Sequence, residues 1–190
     1  MKLDLNATAL AHILQAELSG VLHLATINEV AYDTRKLIRT EGVVFFALKG
    51  AKQNGSAYIE SAYDKGIRNF VVAEQPLLLQ PEANYFLVND VLLALQKLAA
   101  FHRTRITYPI VAITGSIGKT TVKEWIAHLL GEQFKVHRSP KSYNSQLGVA
   151  LSLLALPLEG DLALIEAAVT KPGEMERLHA MIAPDYCVIT

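Results

Sequence analysis

Apolar positions along the chain switch repeatedly between helical spacing and short continuous runs. Residues 7–18 (ATALAHILQAEL) carry apolar residues at helical spacing and predict a helix, with Gly20 as its stop. GVVFFALKG, 42–50, is rich in β-branched and aromatic residues between glycines and predicts a buried strand. SAYIESAYDKG, 56–66, predicts a helix closed by Gly66. NFVVA (69–73) and YFLVN (85–89) predict two more strands, and 90–103 an amphipathic helix with Asp90 as N-cap. The pattern breaks around Thr104–Pro109. After it come strand PIVAIT, helix 119–130, strand FKVHR, helix 145–155, strand LALIEAA, helix 173–182 and strand YCVIT.

Strands alternating with helices imply βαβ units and an α/β fold with a mainly parallel sheet. The break places a boundary near residue 106, giving domains 1–106 and 107–190. The chain stops on Thr190 at the end of what reads as an inner strand. A parallel sheet needs cover on both faces, so the second domain is expected to be truncated. Cys187 is expected in the core, and Trp125 is expected to pack on the sheet with Val122 and Leu129.

Composition narrows the function classes. Eighteen Lys and Arg balance eighteen Asp and Glu, and no basic stripe is visible, which argues against a nucleic-acid binder. The single cysteine allows no disulfide within the chain and fits a reducing compartment. The N-terminus does not read as a signal peptide, and no apolar run approaches the ~20 residues of a membrane span. A soluble, cytoplasmic protein is expected.

The chemistry concentrates in AITGSIGKTTVKEW, 112–125. A strand, a glycine-rich turn and a helix start aim backbone N–H groups at one point, where the helix adds partial positive charge. Gly115 and Gly118 permit close approach of a ligand. Lys119 can curl back over the turn toward phosphate oxygens, and Thr120 offers a hydroxyl where a Mg²⁺ ligand belongs. The strict Walker A spacing is not met, because Ile113 stands where its first glycine would be. An ordinary strand–helix turn with an exposed lysine is the competing reading. Glu166, at the carboxyl end of LALIEAA, lies where ligands of open α/β sheets bind, and so is a candidate metal ligand. The six histidines show no metal-ligand spacing.

Taken together, TGSIGKTT, SYNSQLGVALSLL, LIEAAVTKPGEM and APDYCVIT resemble the ATP-binding domain of the Mur ligases of peptidoglycan synthesis. Upstream, AYDTRKLIRTEGVVFFALKG and the residues after it resemble that family's UDP-binding N-terminal domain. Within the family the likeness is to the branch that adds D-alanyl-D-alanine to UDP-N-acetylmuramoyl-tripeptide. The wording SYNSQLGV is also similar to a subgroup fused to an alanine racemase, which implies a C-terminal racemase domain in the full-length protein.

The resemblance implies ATP and Mg²⁺ as cofactors. It implies that Gly115, Ser116, Ile117, Gly118, Lys119, Thr120 and Thr121 cradle phosphates, and that Thr120 and Glu166 hold the metal. Asn144 would face the reaction centre as a third catalytic position beside Lys119 and Glu166. Asp33, Thr34, Arg35, Lys49 and Gly50 would hold the UDP moiety. Departures from the family pattern stand at Ile117, Ala168, Ser56 and Ala150. The family's metal-binding histidine, carbamylated lysine and third domain would lie beyond Thr190, so these 190 residues alone are expected to turn over poorly. A folylpolyglutamate-synthetase-type ligase and a non-catalytic nucleotide-binding module stay open as alternatives.

Overall fold

In the computed structural model, the described residues are 3–20, 26–37, 39–50 and 54–190. They form two compact units, Met1–Leu95 and Gln96–Thr190. The division falls inside a helix, α3 (Val91–Thr104), rather than at the break near residue 106. The second half of α3 is bonded into the second unit. Gln96 donates to the Gln146 side chain, the His102 ring meets the Leu156 carbonyl, and Arg103 donates to the Ile182 carbonyl. Asp90 caps α3 as its sequence position suggests, accepting from the N–H groups of Leu92 and Leu93.

The first unit opens with α1 (Ala7–Leu14), capped by the Asn6 side chain. It ends at Gln15, which takes a left-handed φ of 55°. The helix expected over 7–18 therefore stops early. Residues Glu17–Gly20 form β1 instead, antiparallel to β5 (Asn84–Leu87). Leu14 and Leu18 fit one helical turn and strand alternation equally well; pairing with β5 satisfies the backbone of this edge and decides between them. A further short strand, β2 (Glu29–Ala31), is too brief to leave a periodic signal.

With β3 (Val43–Phe46) and β4 (Asn69–Val72), the sheet runs β1-β5-β4-β3-β2, with β2 to β5 parallel. A 3-10 turn (Gly55–Tyr58) leads into α2 (Ile59–Asp64), which supplies one wall of the core. Phe45, Phe70 and Tyr85 fill that core, with the Phe70 and Tyr85 rings stacked at 5.4 Å.

The second unit is a wholly parallel sheet of β6 (Ile110–Thr114), β7 (Val136–Arg138), β8 (Leu162–Glu166) and β9 (Tyr186–Ile189), in the order β7-β8-β6-β9. Helix α4 (Lys119–Leu130) packs on β6, β7 and β8. It covers Val111, Ile113, Leu162 and Leu164, which alternate along their strands onto one face. Helix α5 (Gln146–Ala155) packs on β8 and against α6 (Glu174–Ile182).

Two expectations for this unit are corrected. Trp125 and Leu129 do share a face of α4, but they are 67% and 72% exposed. The face turned inward carries Val122, Lys123, Ile126 and Ala127, so of the three residues expected on the sheet only Val122 packs there. A lysine is thus buried on the same side as this apolar stripe, where hydrophobic patterning alone assigns it to solvent. Cys187 is exposed rather than core, because β9 is an edge strand of the described sheet.

Candidate functional site

Strands β6 and β8 are neighbours and parallel, with Ile113 opposite Glu166. Their carboxyl ends therefore open side by side, where α/β sheets take their ligands. The alternation that turns Leu162 and Leu164 under α4 turns Glu166 the same way. Its carboxylate meets the first turn of α4 and is 1% exposed.

The loop from β6 into α4 needs its glycines. Gly115 has φ 134°, and a Cβ there would lie 2.1 Å from the Thr190 carbonyl oxygen. Gly118 has φ 83° at the N-cap of α4, and among the described residues no side chain caps the helix. The N–H groups of its first turn thus have no side-chain acceptor, and the helix dipole adds positive charge beside them. Lys119 curls back over the loop and donates from Nζ to the Gly115 carbonyl at 2.7 Å. Ile117 is exposed at the loop tip, and its carbonyl accepts from the Thr190 hydroxyl.

Around Glu166 the polar groups converge. Thr120 Oγ1 donates to Oε2 at 2.8 Å, and Asn144 Nδ2 donates to Oε1 at 2.7 Å. Lys123 Nζ lies 3.5 Å from Oε2. The Ser142 hydroxyl sits 3.3 Å from that of Thr120. A cleft of about 320 Å³ is lined by Gly118, Lys119, Thr120, Thr121, Ser142, Asn144 and Glu166. Six of these were candidates from sequence; Ser142 was not. Ser116 lies in the loop between Gly115 and Ile117 and is not among the lining residues.

Lys123 was missed, although a signal existed. It falls three residues after Thr120 and four before Ala127, on the same side of the helix. An uncapped helix start, a lysine, a threonine hydroxyl and a carboxylate are groups that could receive a phosphate chain with a hard divalent cation. The oxygen donors of Thr120, Glu166 and Ser142 suit Mg²⁺, and their mutual hydrogen bonds would open to admit it.

In the first unit, the candidates separate into two places. Asp33 caps a 3-10 turn (Thr34–Lys36) and holds Arg35 in a two-pronged pair, both bonds at 2.9 Å. These bonds, and the charge of Asp33, raise the Arg35 guanidinium from its ordinary value. Thr34 is buried, and its carbonyl accepts from Lys65. Asp33, Thr34 and Arg35 share a pocket of about 240 Å³ with Tyr32 and Tyr58. Lys49 lines a different pocket, of about 410 Å³, beside Asn54, Ser56, Asn89 and Asp90. Lys49 bridges Asn54, and Gly50 follows it as an exposed residue.

Comparison with known proteins finds relatives in sequence and in structure. Residues 113–190 match the Mur ligase middle domain. The UDP-N-acetylmuramoyl-tripeptide–D-alanyl-D-alanine ligase of Bacillus subtilis (strain 168) is 35% identical over 86% of this chain and 35% of its own length. The crystal structure of MurF from Acinetobacter baumannii superposes with a TM-score of 0.88 at 26% identity, over 97% of this chain and 40% of that one. The MurF ligase from Thermotoga maritima, solved in complex with ADP, gives 0.74 at 27% identity, over 83% and 36%. The chain thus spans about two-fifths or less of the length of these relatives. Residues 113–190 therefore belong to the Mur ligase family as its middle domain, and the chain as a whole is similar to the MurF ligases.

Proposed function

We propose that this chain carries the UDP-sugar-binding and phosphate-binding parts of an ATP-dependent ligase. The reaction joins D-alanyl-D-alanine to UDP-N-acetylmuramoyl-tripeptide in peptidoglycan precursor synthesis, and its use of ATP sets it in the cytoplasm. The observation that carries this reading is the meeting of Thr120, Asn144 and Glu166 beside Lys119 at the uncapped start of α4. The names of the relatives supply the substrates.

A carboxylate resists attack by an amine because it is a poor electrophile without a leaving group. In the proposed reaction the tripeptide carboxylate attacks the γ-phosphorus of ATP and ADP leaves. The dipeptide amine then attacks the acyl phosphate, an amide forms, and inorganic phosphate departs with loss of the amine proton. Lys119 would leave the Gly115 carbonyl for the β- and γ-phosphate oxygens. The N–H groups of the first turn of α4 would bind the same phosphates. Thr120 and Glu166 would hold Mg²⁺, which when bound offsets charge shifting between the transferring and leaving oxygens. Asn144 fixes one oxygen of Glu166, leaving the carboxylate little freedom to rotate. Asp33, Thr34, Arg35, Lys49 and Gly50 would meet the UDP moiety in the first unit.

ADP release by the whole protein tests the reading. It should require both UDP-N-acetylmuramoyl-tripeptide and D-alanyl-D-alanine. The K119A and E166Q variants should each lower kcat by roughly 10²-fold or more, as loss of one transition-state charge contact does. ADP release that proceeds without the muramoyl peptide, or that is unaffected by E166Q, would contradict it.

A further inference from the structure

Lys123 stands outside the cleft lining, yet its ammonium is fully buried directly behind Glu166. Its contacts run in three directions. Nζ donates to the Ser139 carbonyl at 3.0 Å and to the Lys141 carbonyl, and it lies 3.5 Å from Glu166 Oε2. Glu124, itself paired with Arg138, approaches Nζ at 3.4 Å from the outer side. The Ser139 hydroxyl accepts from the Glu166 backbone N–H.

The segment held by those carbonyls matters. It leaves β7 at Ser139, turns at Lys141 with φ 49°, and delivers Ser142 and Asn144 to Thr120 and Glu166. A left-handed non-glycine residue is retained only where its surroundings hold it. Lys123 supplies such a hold, through the carbonyl of that same residue. One buried cation therefore ties together the carboxylate, the turn that brings its amide partner, and the helix that carries Thr120.

We infer that Lys123 is a positioning residue for the metal site. It fixes where the Glu166 carboxylate points and where Ser142 and Asn144 stand, without itself touching nucleotide. The inference rests on the phosphate-cradle reading above. Groups that orient a metal ligand from behind typically govern metal affinity without governing contacts made elsewhere in the site.

The test is calorimetric titration of the chain with ADP, once with Mg²⁺ and once with EDTA, for wild type, K123M and E166Q. Wild type should bind ADP more tightly with Mg²⁺. Both variants should lose roughly tenfold or more of that tightening, while their affinity in EDTA stays within about twofold of wild type. A folded K123M that keeps the Mg²⁺-dependent tightening overturns the positioning role and leaves the cradle standing. Loss of EDTA affinity in K123M as well would mark a purely structural residue and also overturn it. A wild-type chain that binds no ADP in either condition removes the cradle, and the inference with it. If K123M does not fold, a crystal structure of wild type with Mn²⁺ and ADP decides. Lys123 hydrogen-bonded to the 139 and 141 carbonyls and to a metal-bound Glu166 is expected; Lys123 turned away overturns the proposal.

Discussion

At the scale of single residues, the site is built from groups that each answer one physical demand. Gly115 answers a backbone demand, since φ 134° and the Thr190 carbonyl both exclude a side chain. G115A should cost about 1–3 kcal/mol of unfolding free energy, the range for one backbone forced into a sparsely populated conformation. Urea denaturation reads this directly, and a loss within error would show that the loop relaxes. Lys119 answers a charge demand. K119A should weaken ADP binding by about 10- to 100-fold, the equivalent of a charged hydrogen bond worth about 1.5–3 kcal/mol. His102 meets a different constraint: its ring is buried on Leu156, and among the described residues no partner is found for Nδ1. Burial pushes its imidazole below the ordinary value, with the Leu156 carbonyl acting in the opposite sense. A base held below its unfolded value takes up protons more readily when unfolded. Its contribution to stability is therefore full above about pH 6.5 and is lost as the pH falls below that. The urea midpoint should decline below about pH 6.5, and H102Q should flatten that decline.

Single elements explain which parts of the sequence could be read and which could not. The run 119–130 was readable because the glycine turn and the threonines mark its start and Gly131 its end. Residues 145–155 were readable because Ser145 accepts from the Gly148 N–H and announces α5. S145A should cost about 1 kcal/mol, measured by thermal or urea unfolding. The orientation of α4 was only partly readable. Trp125 and Leu129 are apolar yet face outward, while the inward stripe of Val122, Ile126 and Ala127 also carries Lys123, whose partners are two carbonyls and a carboxylate from distant segments. No local pattern contains those partners. An outward Trp125 implies that W125Q changes stability by less than about 0.5 kcal/mol, as surface substitutions do; a loss of several would show that the indole is covered. Residues 17–18 failed for a similar reason. Their strand pairing is with Leu87 and Phe86, about seventy residues away, while the local spacing suits a helix just as well. Glu166 was legible because a charged residue ending an apolar run is an anomaly at a known place in the fold. Ser142, a small polar residue in a polar stretch, offered no such contrast.

At the scale of the whole molecule, two units of similar size each present their own candidate pockets. Among the described residues, no helix is long and apolar enough to cross a membrane. The first unit has a mixed sheet and the second a parallel one, and Mur ligase structures share this organisation across nearly the whole chain. The central claim, that one unit holds a UDP-linked muramoyl peptide and the other the phosphates of ATP, is tested most directly by ligand-dependent melting. The chain would be melted with UDP-N-acetylmuramoyl-tripeptide, with Mg-ATP, with both, and with neither. A ligand at 100 times its dissociation constant adds about 2.7 kcal/mol, enough to raise the melting temperature by several degrees. A rise with each ligand, with the Mg-ATP rise cut by about half or more in K119A, is the result predicted here. No rise with the muramoyl peptide, or a Mg-ATP rise that is undiminished in K119A, would contradict the account.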